Sequence, residues 1–379
     1  MIVQAFLRWV ETAKAGERAK AANALGRAFL TSNMAADERR AARVAMTYLL
    51  DDPSPQVRLA LADAIADSPA APRGVVVSLA ADQPEIACTV ILRSPVLGDA
   101  DLVDLAGRGN GCTRALIASR PQLSRGVAAA LAEIGDVEEV LILLENRQAS
   151  ISRFSLKRIA ERHGRDCDVR SLLLERDDLS ADARDLLVHF VTEALSSFSL
   201  VQAAVGVRRI ENIAREANAA ATIFIAGSVR SDDVPALVEH LRQTGRLTPA
   251  FLMHALCAGR TDFFAAAIVT LSGLEERRVR AILATGRHHA LRALLESAGL
   301  GRDISDLFCE TVLLWRKATQ TASGSEMESI SGRLLERHRK SGTLSAAAGA
   351  LLEMVEKLRM ADERRMARDY ASGFAVSAA

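Results

Sequence analysis

A sequence repeat of 26 residues constrains this chain more than any other feature. Three windows, 71–95, 97–121 and 123–147, superpose when each is shifted by 26 positions. The apolar residues that then coincide are Leu79 with Leu105 and Leu131, Ala80 with Ala106 and Ala132, and Ile91 with Ile117 and Leu143. Because self-similarity at a fixed period is typical of repeat architectures, the region predicts a stack of similar units.

Each unit predicts a short helix, a polar turn and a second helix. Pro69, Pro95 and Pro121 mark the same corner at intervals of 26 residues. Proline ends a helix there because it lacks an N–H and disfavours helical geometry in the preceding residue. A two-helix unit of this size cannot bury its apolar face alone, so neighbouring units must supply the core.

The later part of the chain predicts longer helices and a second helical block. Ser180 is placed to cap a long helix, with an interruption near Gly206. Gly245, Gly273 and Gly299 recur at positions typical of the residue that follows a helix. The predicted segments are N-terminal capping helices at 1–50, repeats at 51–178, a second helical block at 179–318, a linker at 319–325, and C-terminal helices with a frayed tail at 326–379.

The last predicted helix, around residues 344–369, is apolar along one seam, and this seam ends at Asp362. Such a seam fits either a cap on the repeat array, which we favour, or self-association of two copies. The seam residues are Leu344, Ala348, Leu351, Val355 and Leu358.

Composition agrees with an all-α fold of closely packed helices. Apolar residues make up 49% of the chain and aromatic residues only 4%. No apolar run reaches the roughly 20 residues needed to cross a bilayer, and Arg8, Glu11 and Lys14 interrupt the apolar N-terminus. We therefore expect a cytoplasmic protein. The five cysteines form no CxxC motif, so neither a disulfide framework nor a metal site is predicted.

Charge distribution argues against binding to a nucleic-acid duplex. Residues 51–150 contain fourteen acidic and eight basic residues, a balance of −6. A solenoid that binds a duplex needs a continuous basic stripe to neutralise phosphates. The region with the clearest repeats is instead acidic.

The repeat region resembles the HEAT repeats, a family of two-helix units that stack into α-solenoids. The stretch DDPSPQVRLALADAIADSP (51–69) supplies the turn Asp52-Pro53 and the pair Val57-Arg58. The repeat period of this chain is shorter than a HEAT unit. Ile86 and Cys112 are expected to replace the Val-Arg pair in later units. We interpret Arg58 as a structural residue that reaches the carboxylate of Asp51 or Asp52.

Most of residues 1–318 also resemble domain-of-unknown-function family 2336, a bacterial family. The resemblance rests on the repeats up to about residue 178 and on the block LTPAFLMHALCAGRTDFF (247–264). It implies a helical-repeat fold. The family carries no catalytic motif, so the resemblance implies nothing specific about activity.

His189 is the most specific candidate site residue. On a helical wheel, Leu187, Phe190, Val191, Ala194 and Leu195 form an apolar face, and His189 falls opposite with Asp182, Asp185 and Glu193. An exposed histidine beside carboxylates suits a phospho-acceptor of a two-component-type helix. An ordinary solvated polar face is the favoured interpretation.

Two basic clusters are the other candidate binding residues. The first, EERRVR at 275–280, contains Arg277, Arg278 and Arg280, and Glu275 and Glu276 are spaced to pair with Arg278 and Arg280. The second is RLLERHRK at 333–340, which suits nucleic acid or an acidic partner. Aromatic residues for base stacking do not alternate with either cluster.

No motif predicts catalysis, a metal site or a cofactor. HExxH, GxSxG, Walker A and EF-hand patterns are all missing from the sequence. We therefore predict a non-catalytic protein-binding scaffold or adaptor of the bacterial cytoplasm. The alternatives are a HEAT-like protein that binds nucleic acid or removes damaged DNA bases, and a signalling component that uses His189.

Overall fold

The computed structural model describes residues 2–320, 330–338 and 345–377, and these residues form helices and connecting turns without any strand. They divide into two compact units, Met1–Leu179 and Ser180–Ala379. The all-α prediction is therefore confirmed. Of the predicted linker, Thr319 and Gln320 complete a helix, and residues 321–325 lie outside the described residues.

The described part of the first unit forms twelve short helices. They are α1 (Ile2–Thr12), α2 (Ala15–Thr31), α3 (Ala36–Leu49), α4 (Pro55–Ile65), α5 (Arg73–Ala80), α6 (Pro84–Arg93), α7 (Asp99–Arg108), α8 (Gly111–Ala118), α9 (Arg125–Ile134), α10 (Val137–Glu145), α11 (Arg153–His163) and α12 (Cys167–Leu174). Helices α5, α7 and α9 begin at Arg73, Asp99 and Arg125, and this even spacing matches that of the sequence windows that contain them.

Even-numbered helices of this unit pack in series, each against the next, from α2 to α12. Helices α7, α9 and α11 form a second series, and each packs on the even-numbered helix that follows it. The core lies between the two layers. Each even-numbered helix directs an apolar face into it, as Val57, Leu61 and Ile65 of α4 show by being completely buried.

Arginine at the fourth helical position ties neighbouring turns together. In four even-numbered helices this arginine donates to a backbone carbonyl of the turn before its own helix; the residues are Arg18, Arg58, Arg114 and Arg170. The first three also bind a carboxylate beside the start of the next even-numbered helix, namely Asp52, Asp82 and Glu139. The contact therefore sets the spacing of successive helices.

The structure changes two expectations about the Val-Arg pair. Arg58 binds the carboxylate of Asp82 at 2.7 Å and only the backbone carbonyl of Asp52, so the predicted carboxylate partner was wrong. The pair also returns at Val169-Arg170 of α12. Alignment at one fixed period missed this second pair because the even-numbered helices after α4 begin at unequal intervals.

The second unit contains longer helices. They are α13 (Ala181–Ser197), α14 (Ser199–Val205), α15 (Val207–Ser228), α16 (Val234–Gln243), α17 (Pro249–Cys257), α18 (Thr261–Ser272), α19 (Glu276–Thr285), α20 (His288–Ser297), α21 (Arg302–Gln320), α22 (Ile330–His338) and α23 (Ala346–Ser377), with a 3₁₀ turn at Ser231–Asp233. Ser180 stands at the start of α13, but its side chain makes no capping bond.

Glycine breaks these helices where the sequence predicts it. Gly206 separates α14 from α15 with a φ of 84°, and Gly245, Gly273 and Gly299 have φ values of 68°, 66° and 84° just after helices. Gly273 lies directly after α18 in the left-handed conformation, which glycine adopts without a steric penalty from Cβ.

Helix α23 covers part of the core of the second unit. Ala348, Leu351 and Val355 are buried, and the helix packs on α17, α21 and α22. Leu344 of the predicted seam lies outside the described residues. The helix continues to Ser377, past the predicted end near residue 369.

Candidate interaction surface

Helices α13 and α15 form an antiparallel pair in the second unit. The Thr192 hydroxyl donates to Oδ1 of Asn218 at 2.7 Å, and the Thr222 hydroxyl donates to Oδ1 of Asp185 at 2.5 Å. Residue numbers rise along one helix as they fall along the other. This alignment places the C-terminal part of α13 level with the first half of α15.

A buried carboxylate fixes the other end of this pair. Asp185 is 0% exposed. Its Oδ2 lies 2.5 Å from Nη1 of Arg246 and 3.4 Å from Nε2 of His240, and Arg246 also donates to the Thr222 hydroxyl at 2.9 Å. Asp185 therefore joins α13 to α15, to α16 and to the turn that follows α16.

The surroundings of Asp185 keep its side chain ionised. Burial alone would raise the pKa of the carboxyl group. Hydrogen bonds from His240 and Thr222, together with the positive charge of Arg246, outweigh burial and hold the pKa below its ordinary value. A carboxylate so fully engaged has a structural role.

The predicted solvated face around His189 was partly wrong. His189 and Glu193 are exposed, but Asp185 and Asp182 are buried. The carboxylate of Asp185, four residues before His189, is buried and bound to Arg246. It therefore does not orient the exposed imidazole of His189. The ring of His189 instead lies beside that of Phe190, with 6.3 Å between ring centroids. Phosphorylation of His189 stays a prediction.

Large apolar side chains are exposed along the α13–α15 pair. The exposed fractions are 59% for Leu195, 62% for Phe198, 54% for Val207, 51% for Ile213 and 70% for Phe224. We call these five residues the hairpin surface. Leu195 lies on the predicted apolar face of α13 and is exposed there. Exposed apolar patches of this kind mark interaction sites in many proteins.

One face of α15 extends the hairpin surface along the helix. Ile213, Ala217, Ala220 and Phe224 are all exposed and follow one another at spacings of four, three and four residues. Residues at these spacings share one side of a helix, as on the seam of a helix–helix contact. This side of α15 has the pattern of an interface, and no described part of the chain covers it.

In the first basic cluster, Arg280 is ion-paired within the described part of the chain, whereas Arg277 and Arg278 are not. Arg280 on α19 lies 2.8 Å from both Asp262 and Glu276, and these hydrogen bonds raise its pKa. The predicted pairing of Glu276 with Arg280 is confirmed. Arg277 and Arg278 are exposed and make no ion pair with another described residue. In the second cluster, His338 binds Glu310, and Arg339 and Lys340 lie outside the described residues.

A cavity of about 470 Å³ lies among α17, α18, α19 and α21. The indole of Trp315 forms one wall, with its Nε1 donating to the carbonyl oxygen of Leu256 at 2.7 Å. Arg316 donates to the carbonyl groups of Ile282, Leu283 and Gly286, so its guanidinium caps the end of α19. The side-chain donors of Trp315 and Arg316 at this cavity therefore already bind backbone carbonyl groups of the protein.

Two reactive side chains nearby have the protonation states of inert core residues. Burial lowers the pKa of His254 to about 4 and raises the pKa of Cys257 to about 12. At neutral pH the imidazole is uncharged and the thiol is protonated, and a thiol must be ionised to act as a nucleophile. Neither group has the properties of an activated catalytic residue.

One group of possible metal ligands occurs among the described residues. Side chains of Asp166, Cys167 and Asp168 lie within 4.8 Å of one another at the start of α12. Asp166 already caps that helix through the backbone N–H groups of Asp168 and Val169. The group is largely exposed and has the contacts of an ordinary helix start.

These features define an all-helical protein whose paired helices carry an apolar surface on α13–α15. A family model described as an uncharacterised protein conserved in bacteria (DUF2336) matches residues 86–365, and the chain belongs to this family. The resemblance of the sequence to this bacterial family is thereby confirmed, although the match begins and ends later than expected. No curated protein and no solved structure matches the chain. Among the described helices, none is both long and apolar enough to span a membrane.

Proposed function

We propose that this protein is a HEAT-like α-solenoid that acts as a non-catalytic scaffold or adaptor in the bacterial cytoplasm, and that it binds a protein partner through the hairpin surface. The exposure of five large apolar residues on α13–α15 is the observation that carries the proposal. The series of packed even-numbered helices supports the solenoid interpretation.

Energetics favour a covered hairpin surface. Burying a side chain of the size of leucine or phenylalanine contributes about 1.5–3 kcal/mol. Phe198 and Phe224 are mostly exposed, so a partner that covers both gains several kcal/mol from these two residues alone. In protein interfaces a few well-buried anchor residues supply most of the binding energy.

The experiment compares affinity-purified complexes from cells that express two variants. The test variant combines L195S, F198S and F224S, and the control variant is F154S, which removes an 87% exposed phenylalanine from α11 in the first unit. We expect the test variant to lose specific protein partners that the wild type and the control retain. Circular dichroism checks that both variants stay helical. Identical partner sets for all three proteins would contradict the proposal.

A phospho-accepting His189 is the second candidate function, and the exposure of its imidazole is the observation that favours it. Incubation with acetyl phosphate should label the wild type and not H189Q, while H288Q, which removes another exposed histidine, should stay labelled. No labelling of the wild type by acetyl phosphate or by a cognate kinase would remove this candidate.

A further inference from the structure

Five helices of the first unit present a shared outer face with a consistent chemistry. Helices α4, α6, α8, α10 and α12 bury their third and seventh residues almost without exception. The second, fifth, sixth and ninth positions, counted from each helix start, are exposed or half-buried and form the outer side; in α8 and α12, which have 8 residues each, the ninth position is the residue that directly follows the helix. We call these twenty outward positions the even-layer face.

The helices of this face run parallel. At their N-terminal ends, Arg58 of α4 binds Asp82 just before α6, and Arg114 of α8 binds Glu139 at the start of α10. At their C-terminal ends, Asn146 after α10 donates to the carbonyl oxygen of Ala118 at the end of α8. Equivalent positions therefore form rows that cross the helices.

The two central rows are mainly apolar. The fifth and sixth residues of the five helices are Leu59-Ala60, Cys88-Thr89, Ala115-Leu116, Leu141-Ile142 and Ser171-Leu172. All except Ser171 are half-buried, so each still exposes part of its surface. Apolar surface that remains half exposed along five helices offers a partner a continuous floor.

The two outer rows are acidic. Three second residues are Glu85, Glu138 and Asp168, and three ninth residues are Asp63, Glu145 and Glu175. All six are exposed, and none of the twenty positions of the face, each of them described, is Lys or Arg. The face thus has an apolar centre between two acidic edges.

The arginines of these helices leave most of the edge carboxylates unpaired, and the exception is Asp63, which Arg93 binds. Arg58, Arg114 and Arg170 occupy the fourth position, where each donates to the turn before its own helix. Arg93 lies just beyond the face and binds Asp67 and Asp63. Glu85, Glu138, Glu145 and Glu175 make no ion pair with another described residue, so four carboxylates face solvent with their charge uncompensated.

We propose that the even-layer face binds an amphipathic helix of a partner protein, with the partner's apolar side against the central rows and its Lys and Arg residues against the acidic edges. The second and ninth residues of a helix are about 10 Å apart along its axis, which is close to the diameter of an α-helix. Five helices at about 9 Å spacing span about 36 Å, the length of a helix of roughly 24 residues.

This surface is separate from the hairpin surface and does not depend on it. Its charge also selects against other macromolecules, because carboxylates repel phosphates of nucleic acids and of anionic lipids. The face does not extend to α2. A cleft between α2 and α4 is lined by Leu59 and Asp63 of α4 and by Lys20 of α2. Lys20 occupies the sixth position of α2, where the other five helices have no basic residue. The acidic face therefore begins at α4.

The test measures binding of two labelled peptides to the full-length protein by fluorescence anisotropy. Both peptides are amphipathic helices long enough to cross all five helices of the face, and both have the same leucine side; one has Lys at its polar positions and the other has Glu. We expect the Lys peptide to bind, its affinity to fall steeply with added salt, and the Glu peptide to bind about 10-fold more weakly. Failure of the Lys peptide to bind, or equal binding of both peptides, would overturn the proposal.

Two variants with equal charge changes locate the binding site. The test variant is E85Q/E138Q/E145Q/E175Q on the face, and the control is D37N/D99N/D104N/E133Q on α3, α7 and α9, outside the face. We expect the Lys peptide to bind the test variant about 10-fold more weakly than the wild type. Its affinity for the control variant should stay within twofold of the wild-type value. Equal weakening in both variants would refute a specific site, as would tight binding of duplex DNA or of phosphatidylglycerol vesicles to the wild type.

Discussion

Replacing Asp185 with asparagine tests the structural role of the buried carboxylate. The substitution keeps the shape of the side chain and removes its charge, so Arg246 and His240 lose their anionic partner. Breaking a buried ion pair costs about 3–5 kcal/mol. The side chain of Arg246 is 27% exposed and keeps some hydration. We therefore expect D185N to lower the unfolding free energy by about 3 kcal/mol, the lower end of this range.

The measurement is urea unfolding followed by tryptophan fluorescence. Trp9 lies in the first unit and Trp315 in the second, so a W9F background leaves Trp315 as the reporter of the second unit. D232N is the control, because Asp232 pairs with Arg230 at 3.8 Å with both side chains largely exposed. An exposed pair contributes at most about 1 kcal/mol. If D185N lowers the unfolding free energy by no more than D232N does, the argument that Asp185 forms a stabilising buried ion pair is refuted.

The stabilisation by Asp185 also depends on pH in a defined direction. Its pKa is lower in the folded protein than in the unfolded chain, where an aspartate has a pKa of about 3.9. Its contribution is therefore complete well above that value and decreases as the pH falls towards the folded pKa. The difference in unfolding free energy between wild type and D185N should shrink as the pH falls from about 5 towards the folded pKa of Asp185. A difference that grew between about pH 5 and that pKa would show that the sign is wrong.

Three further predictions concern single residues elsewhere. R58A should lower the unfolding free energy of the first unit by about 2 kcal/mol, because it leaves the half-buried Asp82 without its partner; urea unfolding measures this. G259A should lower the unfolding free energy of the second unit by about 1–2 kcal/mol, because Gly259 has a φ of 77°. It should also shift the emission of Trp315, because a Cβ at this position would lie 3.0 Å from the indole ring. Iodoacetamide at pH 8 should label the exposed Cys167 and leave Cys257 unmodified, because burial raises the Cys257 pKa to about 12; peptide mass spectrometry reads this out, and modification of Cys257 in the folded protein would contradict it.

Local sequence signals predicted the helices well. Gly273 follows α18 in the left-handed conformation, and Gly299 follows α20 with a φ of 84°. These residues act through their own backbone geometry, so their effect is visible in the sequence without knowledge of the fold. The same holds for Gly206, which separates two helices as expected.

Long-range contacts explain what the sequence did not predict. Asp185 falls on a polar side of α13 by spacing, but Arg246, which holds it in the interior, follows 61 residues later. Leu195 falls on an apolar side, but no other part of the described chain covers it. Periodicity identifies the sides of a helix and does not reveal what packs against each side. The hairpin surface could therefore be found only once the structure showed which apolar residues stay exposed.

The contacts that hold the even-numbered helices together also determine the charge of their outer face. Arg58 and Arg114 point into the turns between helices, where each binds a backbone carbonyl and a carboxylate. Cations used in this way are not available to the acidic edges. Removing Arg58 should therefore destabilise the first unit while the Lys peptide binds within twofold of its wild-type affinity at temperatures where the variant is folded. A large change in peptide affinity would mean that Arg58 takes part in the binding face, and stability and binding would no longer be separate properties of this layer.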